Sequence, residues 1–434
     1  MANRNDYDYF DLDNFDDSFD SRSYRRRQQQ RMQGSYNRRP SYNVRNARAR
    51  KRRNKRRTRN RIIMVSSAIL FVIFIIVLLS MMFKGCSNPA TENTTASIST
   101  ETKDKQNTST PVGNSNEPAV SDDLSPSYFI TPQINDDNTE CVMYTGIYAW
   151  NKVAYELFAR SEQKAVNYAN AINGYADNLA GMKVYNMVVP NHTEMELPQR
   201  LKDSSAPSAS QAEFIKSIYS KLSADKVTPI NAYNYLAKHN EEYIYFDSDH
   251  HWTGLGSYYA YSAFAESTKQ PVLSLGDCTE KQIEGFTGSF AGSIDGLNTD
   301  TVHYWQFPYE VQMDITDANG IVNTYQSPYY EYATGGSLTY GVFVMGDNPL
   351  TVLKSSSDKG TGKKIAVVKE SYGNAFVPYL TYNYEEVHVV DFRHFGQNLK
   401  SYCQQNGINE VLFINGVMSA STQIQIDSMS ALFN

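Results

Sequence analysis

Residues 364–380 read KIAVVKESYGNAFVPYL, and their reading decides the architecture. Residues 364–369 read as a buried strand, Ser371 follows at the turn, and a helix is expected over 373–380. The same alternation continues with a strand at 386–390 (EVHVV), a helix at 396–404, a strand at 410–414 (EVLFI) and a final helix near 420–431. Strands separated by helices of this length predict an α/β fold, a mainly parallel sheet covered on both faces. Catalytic groups in such sheets gather at the carboxyl ends of strands.

Ser371 occupies such an end. A serine at a strand-to-helix turn exposes its hydroxyl at the sheet edge, beside the free N–H groups of Tyr372, Gly373 and Asn374, which suit an oxyanion. Serine is equally a favoured helix N-cap, so the residues alone leave nucleophile and cap both open. Asp391-Phe392-Arg393 follows the strand at 386–390; Arg393 is a contact for an anionic or carbonyl group of a substrate, or the ion-pair partner of Asp391. Asn415, after the strand at 410–414, is either a second oxyanion donor or a turn residue.

A third strand end is expected after residues 243–246, at Asp247-Ser248-Asp249-His250-His251-Trp252-Thr253-Gly254. In extended backbone, side chains two apart share a face. Asp249 and His251 therefore face one way and His250 the other. A carboxylate that orients an imidazole is the supporting half of a nucleophile–base–orienter system. The alternative is a metal centre built from Asp247, Asp249, His250 and His251, with His192 added by the fold. Its ligand set is poor for catalytic zinc, and no metal is expected. Trp252 is expected to pack behind the loop, and His303, His388 and His394 to be ordinary.

Upstream, a helical stripe runs through 151–180, a strand through 183–190, a helix through 210–223, a strand through 227–230 and helices through 231–238 and 254–267. Residues 283–345 change character, with Gly, Thr, Ser, aromatic residues and a turn at Asp317-Ala318-Asn319-Gly320; β-hairpins inserted into the domain are expected.

The 434 residues carry a net charge of −5 that hides a split. Residues 1–61 hold 19 Lys/Arg against 7 Asp, a net of +12, which leaves −17 for the remainder. This tail is poor in aliphatic residues and is expected to be disordered, its basic arm retained at anionic lipid rather than on nucleic acid. Residues 62–83 (IIMVSSAILFVIFIIVLLSMMF) are uncharged. At about 1.5 Å per residue they reach roughly 33 Å, enough for a bilayer core. The basic block at 48–61 places the N-terminus in the cytoplasm and everything after Lys84 outside. Residues 84–124 are a Ser/Thr/Asn/Pro-rich linker, and 125–434 form the globular domain. The cysteines at 86, 141, 278 and 403 have no metal-binding spacing. Cys86 is read as a free juxtamembrane thiol, and a disulfide among the other three is permitted outside the cell.

Asp249-His250-His251-Trp252 with Thr253-Gly254-Leu255-Gly256-Ser257-Tyr258-Tyr259 resembles the signature of the DHHW proteins. Lys369-Glu370-Ser371-Tyr372-Gly373-Asn374-Ala375-Phe376 with Val390-Asp391-Phe392-Arg393 resembles that family's second block. DHHW proteins resemble in turn the SGNH-hydrolase-like domains of polysaccharide O-acetyltransferases, such as those acting on alginate. The resemblance covers roughly 125–434 and implies an SGNH-like three-layer sandwich. It makes Ser371 the nucleophile, His251 the base and Asp249 its orienter, in the permuted order of those relatives. They carry Asp before the serine where this chain has Glu370. The resemblance further implies acyl, chiefly acetyl, transfer to a cell-surface polysaccharide, fed by a membrane partner that exports acyl groups and using no bound cofactor. An O-acetylesterase with the same triad, and a non-catalytic envelope-binding protein with a degenerate site, are the alternatives.

Overall fold

The computed structural model describes residues 122–434 except residue 145; the basic tail, the apolar run at 62–83, Cys86 and nearly all of the linker lie outside the described residues. Among the described residues no helix is long and apolar enough to cross a membrane. Strands β1 (Val142–Tyr144), β2 (Ile147–Trp150) and β3 (Val153–Glu156) form an antiparallel meander. Then come α1 (Glu162–Asn178), β4 (Lys183–Val189), α2 (His192–Glu196), α3 (Gln199–Lys202), α4 (Gln211–Tyr219) and β5 (Val227–Pro229). Helices α5 (Ala232–Lys238) and α6 (Gly254–Ser267) precede a hairpin of β6 (Thr279–Phe286) and β7 (Asp300–Gln306). A second hairpin, β8 (Val311–Thr316) and β9 (Val322–Tyr325), leads to β10 (Leu350–Ser355). The chain closes with β11 (Lys364–Lys369), α7 (Gly373–Leu380), β12 (Glu386–Asp391), α8 (Leu399–Asn406), β13 (Glu410–Gly416), α9 (Val417–Ala420) and α10 (Gln423–Ser430).

The eight-stranded sheet has the order β5-β4-β13-β11-β12-β10-β8-β9. The first five strands are parallel, and β10, β8 and β9 add antiparallel. The sheet is thus mixed, and the expected parallel character stops at β12. Strand β10 was absent from the sequence reading; it recruits β8 and β9, so one of the two inserted hairpins is an extension of the sheet. Strands β11, β12 and β13 are buried along almost their whole length, as both-face coverage requires. The crossover β11–α7–β12 steps one way along the sheet and β12–α8–β13 steps back. Right-handed crossovers in opposite directions place their helices on opposite faces, which makes a helix–sheet–helix sandwich. This mixed α/β layering is compatible with the SGNH-like architecture that the resemblance implied.

Two elements differ from expectation for local reasons. The helical stripe begins only at Glu162, because Asn151 and Lys152 both take positive φ (52° and 65°) and turn β2 into β3. Such a two-residue turn matches the twist of a hairpin, and the Lys masks the usual Asn-Gly signal. Residues 243–246 do not form a ladder strand. Tyr245 makes a single bridge to Trp252, and the Thr253 and Phe246 N–H groups donate to Ile244 and His251 carbonyls, so the segment doubles back on itself. Cys141, Cys278 and Cys403 are free thiols, the last buried.

Candidate active site

The loop at 247–253 needs its backbone satisfied from outside, and a carboxylate in β7 does much of it. Asp300 is buried, and it accepts from the N–H groups of Asp247 (2.8 Å) and Ser248 (2.9 Å), from Ser248 Oγ (2.5 Å) and from the Tyr243 hydroxyl. From the meander, the Ala154 N–H donates to the Asp247 carbonyl. A turn after β6 closes the other side: the Gly288 N–H donates to Ser248 Oγ (2.9 Å) and the Ser289 N–H to Asp249 Oδ2 (2.7 Å). Thr253 ends the loop by capping α6, its Oγ1 accepting from the Gly256 N–H. Trp252 is fully buried, and its Nε1 donates to the Tyr372 carbonyl, tying this loop to the Ser371 turn.

Within that frame Asp249 Oδ1 lies 2.5 Å from His251 Nδ1 and also accepts the His251 backbone N–H at 3.0 Å. An ionised carboxylate only accepts, so Nδ1 carries the proton and Nε2 is left as the acceptor. Ser371 Oγ lies 2.7 Å from Nε2 and donates to it. Burial pushes the Asp249 carboxyl up, but the facing His251 and His250 imidazoles and the bonds to His251 and the Ser289 N–H outweigh it and hold Asp249 far below the usual carboxylate range. The structure therefore brings Ser371, His251 and Asp249 together in hydrogen-bonded order.

Ser371 is not a cap. Helix α7 begins after Tyr372 with no side-chain cap bond, and the serine hydroxyl turns to the imidazole instead. The turn itself is held by Glu370, whose Oε2 accepts the Tyr372 N–H (2.9 Å) and whose Oε1 accepts the Gly416 N–H at the end of β13 (2.7 Å). Glu370 Oε2 also lies 3.2 Å from Ser371 Oγ, a longer path for the hydroxyl proton than the one to His251. The Gly373 and Asn374 N–H groups donate to the Glu370 and Ser371 carbonyls. The three N–H groups expected to serve an oxyanion are thus already engaged within the turn. Gly373 is obligatory for another reason: a Cβ there would lie 2.5 Å from Lys369 Cβ.

A cavity of about 100 Å³ opens onto Ser371. His250, His251, Ser289, Asn374 and Asp347 line it, with Tyr340, Leu338 and Phe286 contributed by the inserted region. Asn374 is the one of the five proposed substrate or oxyanion residues among the lining; its Nδ2 donates to Asp347 Oδ1 (2.9 Å) and its buried Oδ1 has no partner. Arg393 lies elsewhere. It pairs with Asp391 (2.8 Å) and Asp347 (2.8 Å), and Lys369 pairs with the same two carboxylates at 2.8 Å each. Burial alone would discharge these groups, but their opposed charges outweigh it, holding Asp347 and Asp391 low and Lys369 high. Asn415 is neither a donor into the cavity nor a turn residue: it is buried at the end of β13, and its Oδ1 accepts from the Tyr168 hydroxyl at 2.8 Å.

His250 does not turn away from its neighbour. The two rings lie 3.8 Å apart, and His250 Nδ1 meets Ser289 Oγ at 2.8 Å, because the doubled-back loop does not alternate its side chains as a strand does. Asp249, His250 and His251 offer ligand atoms within 4.8 Å of one another, although both His251 nitrogens already have partners. His192 is fully buried against Tyr155, Tyr245 and Phe290, and burial, with His250 nearby, pulls its imidazole down to about 3. Sequence reasoning missed Asp300, Gly288, Ser289, Tyr340 and Asp347. Each lies in or beside the inserted hairpins, with no local pattern that marks it.

The sequence matches the DHHW protein family over residues 90–390. No curated protein matches it. Among solved structures it is similar to a DHHW family protein from Eubacterium siraeum, with 27% identity, a TM-score of 0.62 and coverage of 68% of this chain and 99% of that one. It is also similar to Bacillus cereus PatB1, both with a sulfonyl adduct (20% identity, TM-score 0.53, 64% and 96% coverage) and without it (21%, 0.55, 66% and 98%). The PatB1 likeness is one of fold. With the family match spanning most of its length, the chain belongs to the DHHW protein family.

Proposed function

We propose that the chain is a membrane-anchored serine acyltransferase that moves an acetyl group onto hydroxyls of a cell-surface polysaccharide outside the cytoplasm. The observation that carries this reading is the Asp249–His251–Ser371 relay at the floor of a small cavity. Ser371 Oγ attacks the acyl carbonyl while His251 Nε2 takes its proton, and Asp249 stabilises the imidazolium. The leaving group departs with that proton and leaves an acyl-serine. A sugar hydroxyl then attacks, deprotonated by the same Nε2, and Ser371 is restored as the new ester leaves. A cavity of about 100 Å³ is well below the several hundred of ordinary ligand sites and suits a two-carbon acyl group. The resemblance of DHHW proteins, whose signature the two sequence blocks carry, to polysaccharide O-acetyltransferases supports the carbohydrate acceptor. The charge split around residues 62–83 supports the anchor and the outward domain. Acetyl-CoA is cytoplasmic, so a membrane partner must hand acyl groups across.

The test uses a fluorophosphonate or a sulfonyl fluoride on the wild-type chain and on Ser371→Ala, followed by an acetyl ester donor with an oligosaccharide acceptor. Labelling confined to wild type, with acetyl appearing on the sugar, is the expected result. Equal labelling of both chains would remove the catalytic reading, and acetate release without transfer would make the protein an esterase.

A further inference from the structure

The geometry points to Tyr340 as a positioning residue that holds the base and the nucleophile in register. Its ring lies 4.1 Å from that of His251 with the planes 11° apart, and its hydroxyl donates to the Ser371 carbonyl at 3.1 Å. This inference rests on the serine acyl-transfer reading. The imidazole packs against two rings, the stacked Tyr340 and the tilted His250, whose ring centroid lies 3.8 Å away. Such packing fixes the ring rotation that aims Nε2 at Ser371. The phenol face also favours the imidazolium over the neutral ring, and the imidazolium is what forms when the serine attacks. The hydroxyl holds the Ser371 backbone, so one side chain constrains both ends of the 2.7 Å bond.

Tyr340 is itself fixed. It is buried, with Phe343 and Phe246 packed edge-on at 5.3 and 6.2 Å. The chain leaves it through Val344 and Met345, both at positive φ (45° and 59°). A β-branched residue rarely takes that conformation, and strain of this kind persists where surrounding structure demands it. Asn348 Nδ2 braces the turn by donating to the carbonyls of Val344, Met345 and Gly346. The titratable groups facing His251 are Asp249, His250, Tyr340 and Tyr372, with Glu370 across Ser371.

Tyr340→Leu keeps an apolar filling but removes ring and hydroxyl, and Tyr340→Phe removes the hydroxyl alone. The measurement is the second-order rate of fluorophosphonate labelling at Ser371 against pH, with thermal melts to establish folding. Tyr340→Leu is expected to label about 30- to 100-fold more slowly, the loss that a misplaced reacting group brings. The acid limb of its rate profile should move down by about half a pH unit as the cation loses its aromatic face. Tyr340→Phe should keep the wild-type acid limb and lose less than tenfold in rate. Wild-type labelling in a folded Tyr340→Leu, or identical pH profiles in the Leu and Phe variants, would overturn the assignment and leave the serine reading intact. If the wild-type chain itself does not label, the serine reading falls and this assignment falls with it.

Discussion

Gly288→Ala is a stringent trial of the way the site is assembled, because the residue touches no substrate and carries no chemistry. A Cβ at that position would lie 2.2 Å from Asp249 Cβ, 2.5 Å from the Ser248 carbonyl oxygen and 2.6 Å from Asp249 Cα. Carbon atoms pack at about 3.5–4.0 Å, so the overlap exceeds an ångström, and two of the three neighbours are backbone. One loop must retreat. Retreat breaks the Gly288 N–H bond to Ser248 Oγ and the Ser289 N–H bond to the Asp249 carboxylate. The first is worth about 1 kcal/mol and the second, to a charged acceptor, about 1.5–3 kcal/mol. A loss of about 2.5–4 kcal/mol follows, which at roughly 2–4 °C per kcal/mol for a domain of this order lowers the melting temperature by about 5–15 °C. Asp249 loses one of its fixed partners, and a displacement near 1 Å of the base should slow serine labelling about 100-fold. The assays are a thermal melt and the labelling rate on the same preparation, with Ser289→Ala as the control that keeps both backbone bonds. A Gly288→Ala chain that melts within a degree of wild type and labels at the same rate would refute the clamp.

His192 is buried and neutral with its imidazole pulled down to about 3, below the value near 6.5 of an unfolded chain. Its contribution to stability is therefore present above about pH 6.5 and is lost as pH falls toward 3, and His192→Leu should flatten stability against pH in that window by up to one proton. Lys369→Met leaves Asp347 and Asp391 buried with Arg393 as their remaining cation and should cost about 3–5 kcal/mol, read as a lowered denaturant midpoint. A wild-type midpoint in that variant would mean that the four charges are not coupled to folding. The outward placement we propose for the domain predicts that a membrane-impermeant maleimide labels the half-buried thiols Cys141 and Cys278 in intact cells, whereas protection until lysis would reverse the topology.

The alternation after residue 364 was legible as β/α repeats because each strand is a short apolar run buried on both faces, and β11 and α7 fall where the spacing placed them. The Asp-x-His pair was legible too, since the orienter and base are two residues apart; the serine at its strand end read equally as a helix cap, and the resemblance to the DHHW proteins marked it as the nucleophile. The departures lie where a partner distant in sequence decides the outcome. Residues 243–246 have strand composition, but Tyr245 finds a bridging partner only in the returning Trp252. The N–H groups after Ser371 suit an oxyanion until Glu370 and the turn carbonyls engage them. Arg393 reads equally as a substrate contact or as the partner of Asp391; the structure realises that ion pair and adds Asp347, 46 residues earlier, to it.

By itself, then, the sequence determined the α/β class through its periodicity and the Asp-x-His half of the relay through local spacing, and its resemblance to the DHHW proteins singled out the serine half. Only the tertiary structure decided how the halves meet. Asp300 and the 288–289 turn fold the loop onto itself, Tyr340 and Asp347 complete the cavity wall, and β10 carries the sheet past β12. These groups act across long separations through single bonds and van der Waals contact, and such pairings leave no period in the chain for sequence to reveal.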